Sequence, residues 1–231
     1  PDPLTLIDTR WMAMLTLYTV PESLYCAKTR ILLRHKGLAW EERAPPEGYG
    51  SDAYKEIVPS GSLPAMIDGD LMLADSEAIA EYLNEWYPEP LMLPSDIADR
   101  ALVRQHGRFH DTRLEPAVRM LFPLMRPAQR SPEAVATALA AIRARLAQRA
   151  RGLAGNPGVA SGGMLSLGDC GYPITFRWIE RLSRELGDPV VLPAEVSAYN
   201  TALSGQSAVA EELAVYASSM DAWVRRVTVP T

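Results

Sequence analysis

Residues 14–37 read MLTLYTVPESLYCAKTRILLRHKG, and the pattern within them changes once. Met14 to Thr19 is short, apolar and aromatic, which predicts a strand. From Ser23 to Lys36 the apolar residues Leu24, Ala27, Ile31 and Leu32 recur at helical spacing, and Gly37 supplies a C-terminal stop. A second strand-like run follows at Leu38–Arg43. Strand, helix, strand in this order predicts a parallel crossover.

Outward from that unit the alternation continues. Asp52–Ile57 reads as a short helix or irregular turn. Ala65–Ile67 and Leu71–Leu73 flank Asp68-Gly69-Asp70, a hairpin with Asp-Gly in its turn. Asp75–Trp86 returns to helical spacing, with Ile79, Ala80, Leu83 and Trp86 on one side, and Pro88 and Pro90 stop it. The crossover is parallel and the hairpin antiparallel, so a mixed sheet is expected. Beyond a linker at Leu91–Ile97 strand signals nearly vanish. Ala98–Leu124, Pro132–Arg151, Leu167–Leu186, Ala194–Leu203 and Ala208–Val227 all read as helices, with a Gly/Asn/Pro loop at Ala154–Gly163. Ser166-Leu167-Gly168-Asp169 has the spacing of a capping box, Asp standing in for Glu. The expected division is an α/β domain over 13–90, an all-helical domain over 97–231, and an N-terminal extension at 1–12 that fits no element.

Composition narrows the function classes. The 231 residues carry a net charge of −5, so no basic footprint for nucleic acid and no polybasic membrane anchor are expected. No apolar run approaches the roughly 18–20 residues of a membrane span, and no secretory signal pattern opens the sequence. Two cysteines, Cys26 and Cys170, cannot build a disulfide framework. With no export signal they point to a reducing cytoplasm.

Four places carry candidate chemistry. Ser23 stands at a helix N-terminus, where unpaired N–H groups favour an anion. A serine there either caps the helix or donates a hydrogen bond to a bound thiolate, lowering the thiol's pKa. Ser23 and Cys26 have C-x-x-C spacing with the first cysteine replaced, which favours an external thiol as reactant and leaves Cys26 as a packing residue. Leu63-Pro64 enters a strand through proline; a cis bond there would free the backbone of Leu63 to pair with an extended, peptide-like ligand. Asp75-Ser76 opens another helix after a strand, either as a cap or as a receptor for a ligand carboxylate. His106 and His110 lie four apart on a predicted helix, with Arg113 on the same face. No third ligand has matching spacing, so no metal is expected; the three read as an exposed or substrate-pocket face and are assigned to a substrate pocket.

Taken in order, Leu17-Tyr18, Ser23–Ile31, His35–Leu38, Ser62–Met66 and Leu73–Leu83 (LADSEAIAEYL) resemble the glutathione transferase superfamily, and the box at Leu165–Asp169 looks like that family's helix-capping motif. The resemblance spans roughly residues 14–225. It implies a thioredoxin-like N-terminal domain plus an all-α C-terminal domain, usually as a homodimer, with glutathione as cosubstrate. It assigns Ser23 as the catalytic serine, Leu63 and cis-Pro64 to the cysteinyl part of glutathione, and Asp75 and Ser76 to its γ-glutamyl end. The sequence departs from the pattern in having Ser62 where Lys, Gln or His is common, and in lacking the zeta-type Ser-Ser-Cys signature. The expected reaction is conjugation of the glutathione thiolate to a hydrophobic electrophilic small molecule. The alternatives are a glutathione-dependent isomerase, ether-cleaving enzyme or dehalogenase, and a non-catalytic binding module.

Overall fold

The computed structural model describes residues 14–155 and 163–229. The expected extension at 1–12 and most of the expected loop at 154–163 lie outside the described residues. The first part runs β1 (Leu15–Tyr18), α1 (Leu24–His35), β2 (Trp40–Arg43), α2 (Asp52–Lys55), β3 (Ala65–Asp68), β4 (Leu71–Leu73) and α3 (Ser76–Trp86). The strand order is β2-β1-β3-β4. β1 pairs β2 in parallel, and β3 pairs both β1 and β4 antiparallel, giving the expected mixed sheet.

The register decides where a site can form. Tyr18, the last residue of β1, faces Ala65, the first of β3, while Met66 faces Leu73, the last of β4. The exit of β1, the entrance of β3 and the exit of β4 therefore share one end of the sheet. Ser23, Leu63 and Asp75 all follow or precede those points.

The second part is helical among the described residues: α4 (Ile97–Phe109), a π-helical turn (His110–Leu114), α5 (Glu115–Arg119), α6 (Leu121–Leu124), α7 (Pro132–Gly155), α8 (Tyr172–Glu185), α9 (Ala194–Ser204) and α10 (Ser207–Thr228). The single helix expected over Ala98–Leu124 is thus four consecutive segments. The π turn inserts an extra residue into the helical repeat, which a 3.6-residue pattern does not register. The box forms on a 3₁₀ turn, Leu167–Asp169, ahead of α8. Asp169 Oδ2 accepts from Ser166 N at 2.8 Å and from Ser166 Oγ at 2.6 Å. None of the described helices is long and apolar enough to cross a membrane.

α1 is the hinge of the packing. Leu24, Ala27, Ile31 and Leu32 are buried in a core shared with Trp178, Ile179 and Leu182 of α8. Its charged residues Lys28 and Arg30 are buried as well, Arg34 is half-buried, and each is answered. Lys28 Nζ reaches Glu77 Oε2 of α3 at 2.7 Å and Asp111 Oδ2 at 2.8 Å. Arg30 Nε meets the fully buried Glu212 of α10 at 2.7 Å, and Arg34 Nε meets its other oxygen at 3.2 Å. Buried charges persist only when paired in this way.

Candidate functional site

A cleft of about 750 Å³ opens at the shared end of the sheet, between the first part and the helices. That volume is in the range of small-molecule sites. Ser23 and Leu63 both line it.

Ser23 is the N-cap of α1, with extended backbone at φ −72°, ψ 122°. Its Oγ accepts from Cys26 N at 3.3 Å, a long contact, and its carbonyl takes Ala27 N at 3.0 Å. Leu24 and Tyr25 N–H remain as the open donors of the first turn among the described residues. No acidic residue occupies that turn. Glu22 precedes it, but its carboxylate is held by Arg226 at 2.7 Å. The mouth of α1 is therefore free for an external anion. Cys26 is fully buried and packs. Tyr25 also lines the cleft, but its hydroxyl is turned toward the carbonyl of Asp111 at 3.4 Å. Burial, reinforced by Glu115 and Asp111, pushes its ionisation well above the ordinary phenol range, so it stays neutral.

The Leu63–Pro64 bond is cis. Behind it, the fully buried Tyr54 donates from its hydroxyl to the carbonyl of Ser62 at 3.0 Å. Gly50 N donates to Gly61 O at 3.0 Å. Gly61 has φ +62°, and a Cβ there would stand 3.1 Å from the Cα of Gly50. These contacts bring Tyr49 and Gly50 into the cleft wall, from a stretch the sequence left without an assignment.

Asp75 and Ser76 begin α3 at the same end of the sheet but are not among the residues lining the cleft. Asp75 Oδ1 turns back on its own helix, accepting from Glu77 N at 2.9 Å and Ala78 N at 3.0 Å. Ser76 is buried beside Lys28 and Thr29 of α1.

The assignment of His106, His110 and Arg113 to the substrate pocket is corrected. None of the three lines the cleft. His106 Nε2 meets Tyr199 Oη at 2.7 Å and Asp169 Oδ1 at 3.2 Å, and its ring stacks on Tyr172. His110 Nε2 meets Thr175 Oγ1 at 2.6 Å and its Nδ1 meets Asp111 Oδ1 at 2.7 Å. Both imidazoles tie α4 to α8, α9 and the capping turn, and Arg113 is exposed. Burial lowers the pKa of His106 despite its contact with Asp169, so it is held neutral. The second wall of the cleft is instead Arg119, Phe122 and Arg126, with Trp223 and Arg226 of α10. The sequence carries a signal for them: an arginine and an aromatic three apart recur in both segments, with a further arginine four on in the first.

Among the described residues no cluster of His, Cys, Asp or Glu could hold a metal ion.

Comparison with known proteins decides the kinship. The profile of the glutathione S-transferase N-terminal domain matches residues 17–91. Its first part is thus matched to the glutathione transferase N-terminal domain, and the fold of the whole is that of the glutathione transferase superfamily. Glutathione S-transferase Z2 of Arabidopsis thaliana is 42% identical over 95 residues, 40% of this chain and 43% of the relative. A stringent starvation protein A homolog of Pasteurella multocida is 37% identical over 82 residues, 36% of this chain and 39% of the relative. The chain thus spans about two-fifths of the length of these curated relatives. Among solved structures, the theta class glutathione S-transferase of Xanthomonas axonopodis pv. citri, with glutathione bound, aligns at a TM-score of 0.72 and 26% identity, covering 86% of this chain and 96% of that one. The tau class enzyme of mango aligns at 0.76 and 19% identity over 94% of this chain and 99% of that one, a likeness of fold. The thioredoxin-like first part and helical second part are those of the superfamily.

Proposed function

We propose that this glutathione transferase homologue binds glutathione along the first part of the cleft and transfers its thiolate to an electrophile. The observation that carries the reading is Ser23 at the mouth of α1, beside open N–H groups, with no acidic residue in the first turn. Among the described residues Ser23 Oγ accepts only a long bond from Cys26 N, which leaves its O–H to donate to sulfur. A donor and a helix end both favour the thiolate over the thiol. The thiol proton leaves to solvent. The thiolate then forms a sulfur–carbon bond while the bond from that carbon to the leaving group breaks, the leaving group departing with the electron pair. Leu63 supplies the backbone partner for the cysteinyl part. Ser76 and the start of α3 hold the γ-glutamyl end, with Asp75 set first to cap its helix. An assembly as a homodimer in the cytoplasm belongs to the same reading.

Titrating glutathione by calorimetry tests the site; no heat of binding at millimolar glutathione would sink it. With binding in hand, Ser23→Ala should leave the dissociation constant within a few-fold while raising the pKa of the bound thiol, followed by thiolate absorbance in the ultraviolet. An unchanged thiol pKa would reduce Ser23 to a cap. A second reading is a glutathione-site module without transfer. It is favoured by the match of the first part to a protein whose name carries no transferase activity. Binding without turnover across chloronitroaromatic, isothiocyanate and epoxide electrophiles would select it.

A further inference from the structure

The charge of the cleft is opposite to that of the molecule. The chain as a whole carries −5. The cleft lining contains three arginines, Arg119, Arg126 and Arg226, against one carboxylate, Glu22. Not all of these charges are available. Arg226 and Glu22 neutralise each other at 2.7 Å. Arg119 pairs with Glu115 and stands 5.4 Å from the centre of the Phe122 ring. Arg126 makes no side-chain hydrogen bond or ion pair among the described residues, and it is exposed at the cleft. Two of the three, Arg119 and Arg126, come from the α5–α6 region, facing the glutathione side rather than belonging to it. Phe122 and Trp223 line the same cleft as Arg126, their ring centres 5.0 Å apart. An aromatic surface with one unanswered guanidinium at its edge is a receptor for a flat apolar body that ends in an anion.

We infer that the second substrate is such a molecule: an electrophile with a planar apolar body carrying a carboxylate, which Arg126 receives while Phe122 and Trp223 hold the body. The inference rests on the glutathione reading above and narrows it from a hydrophobic electrophile to an anionic one. Arg126 is a specificity residue and takes no part in activating the thiol. An unpaired guanidinium in the cleft also attracts anions, an effect that salt weakens.

The test uses the intact protein and two product-like ligands, S-benzylglutathione and S-(4-carboxybenzyl)glutathione, titrated by calorimetry at low and high salt. The carboxylated ligand should bind at least tenfold tighter at low salt, and the margin should shrink at high salt. Arg126→Gln should bring the two ligands within about twofold of each other, and leave the pKa of the bound glutathione thiol where it was. Equal affinity of both ligands for the unmodified protein would overturn the anionic substrate and leave the glutathione site standing. A preference that survives Arg126→Gln would overturn the assignment to Arg126. Binding of neither ligand would overturn the glutathione reading and this inference together.

Discussion

Ser23 holds two roles through one oxygen, and they can be pulled apart. As an N-cap it accepts from Cys26 N; as a donor it would give its proton to sulfur. Alanine removes both, so Ser23→Ala should destabilise the protein by about 1 kcal/mol, read as a fall of a few degrees in Tm. Aspartate keeps the cap and reverses the electrostatics. Ser23→Asp should hold Tm within a degree or two of the unmodified protein, yet raise the pKa of bound glutathione above that of the alanine variant, because a carboxylate faces the thiolate. Thermal melts together with thiolate absorbance check the pair. A thiol pKa in Ser23→Asp equal to that in Ser23→Ala would mean that the sulfur does not lie against this side chain.

Between elements, the tightest junction is that of α4 with the capping turn. A Cβ on Gly168 would stand 2.4 Å from the backbone oxygen of Val103 and 3.1 Å from Gly107 N, so two backbones meet there with no room for a methyl group. Gly168→Ala should therefore cost roughly 1–3 kcal/mol or more by overpacking. Gly152, in the last turns of α7, gives the opposite case. Its Cβ would meet only Arg149 Nη1 at 3.2 Å, the end of a side chain that stands over the Tyr172 and Tyr199 rings and need shift by only a few tenths of an ångström, and its backbone is helical. Gly152→Ala should stabilise by about 0.5–1 kcal/mol, since glycine is a poor helix former. Denaturant midpoints measure both, and a common sign would be wrong. The same junction shows what the sequence could and could not say. The strand and helix order, the mixed sheet and the capping residues Ser166 and Asp169 were legible because they rest on local spacing and local hydrogen bonds. His106 and His110 were misread because a pair four apart on a helix shows that two side chains share a face, not what that face meets. Their partners, Asp169, Tyr199 and Thr175, lie more than sixty residues on. The cleft wall at Arg119, Phe122 and Arg126 escaped for the same reason, compounded by the π turn that resets the helical phase just ahead of it.

Across the whole molecule, the two parts are joined through charge as well as through the core. Lys28 of α1 stands between Glu77 of the first part and Asp111 of the second, with His110 on the far side of Asp111. Burial alone would raise the Asp111 carboxyl. The His110 hydrogen bond and the Lys28 charge prevail and hold it at about 2, below its ordinary 3.8. A carboxyl depressed in the folded state stabilises that state above its unfolded pKa, and the contribution fades as pH falls through the folded value. The difference corresponds to roughly 2 kcal/mol, present at pH 5 and lost between about pH 4 and 2. Glu212 runs the other way. Burial outweighs Arg30 and Arg34 and raises its carboxyl, so it adds nothing to this acid limb. Removing the ammonium from the centre leaves two carboxylates facing each other with little solvent. Lys28→Ala should then lower stability at pH 7 by about 3–5 kcal/mol, the range for breaking a buried pair. It should also make the loss between pH 4 and 2 shallower without abolishing it, because the Lys28 charge is gone while the His110 hydrogen bond still holds Asp111 down. Urea unfolding at pH 7, 4 and 2.5, followed by the fluorescence of Trp178 and Trp223 in the second part and Trp40 and Trp86 in the first, measures both effects. If the variant instead kept the full acid limb, the joint between the two parts would be the packing of α1 alone, and Lys28 a passenger in it.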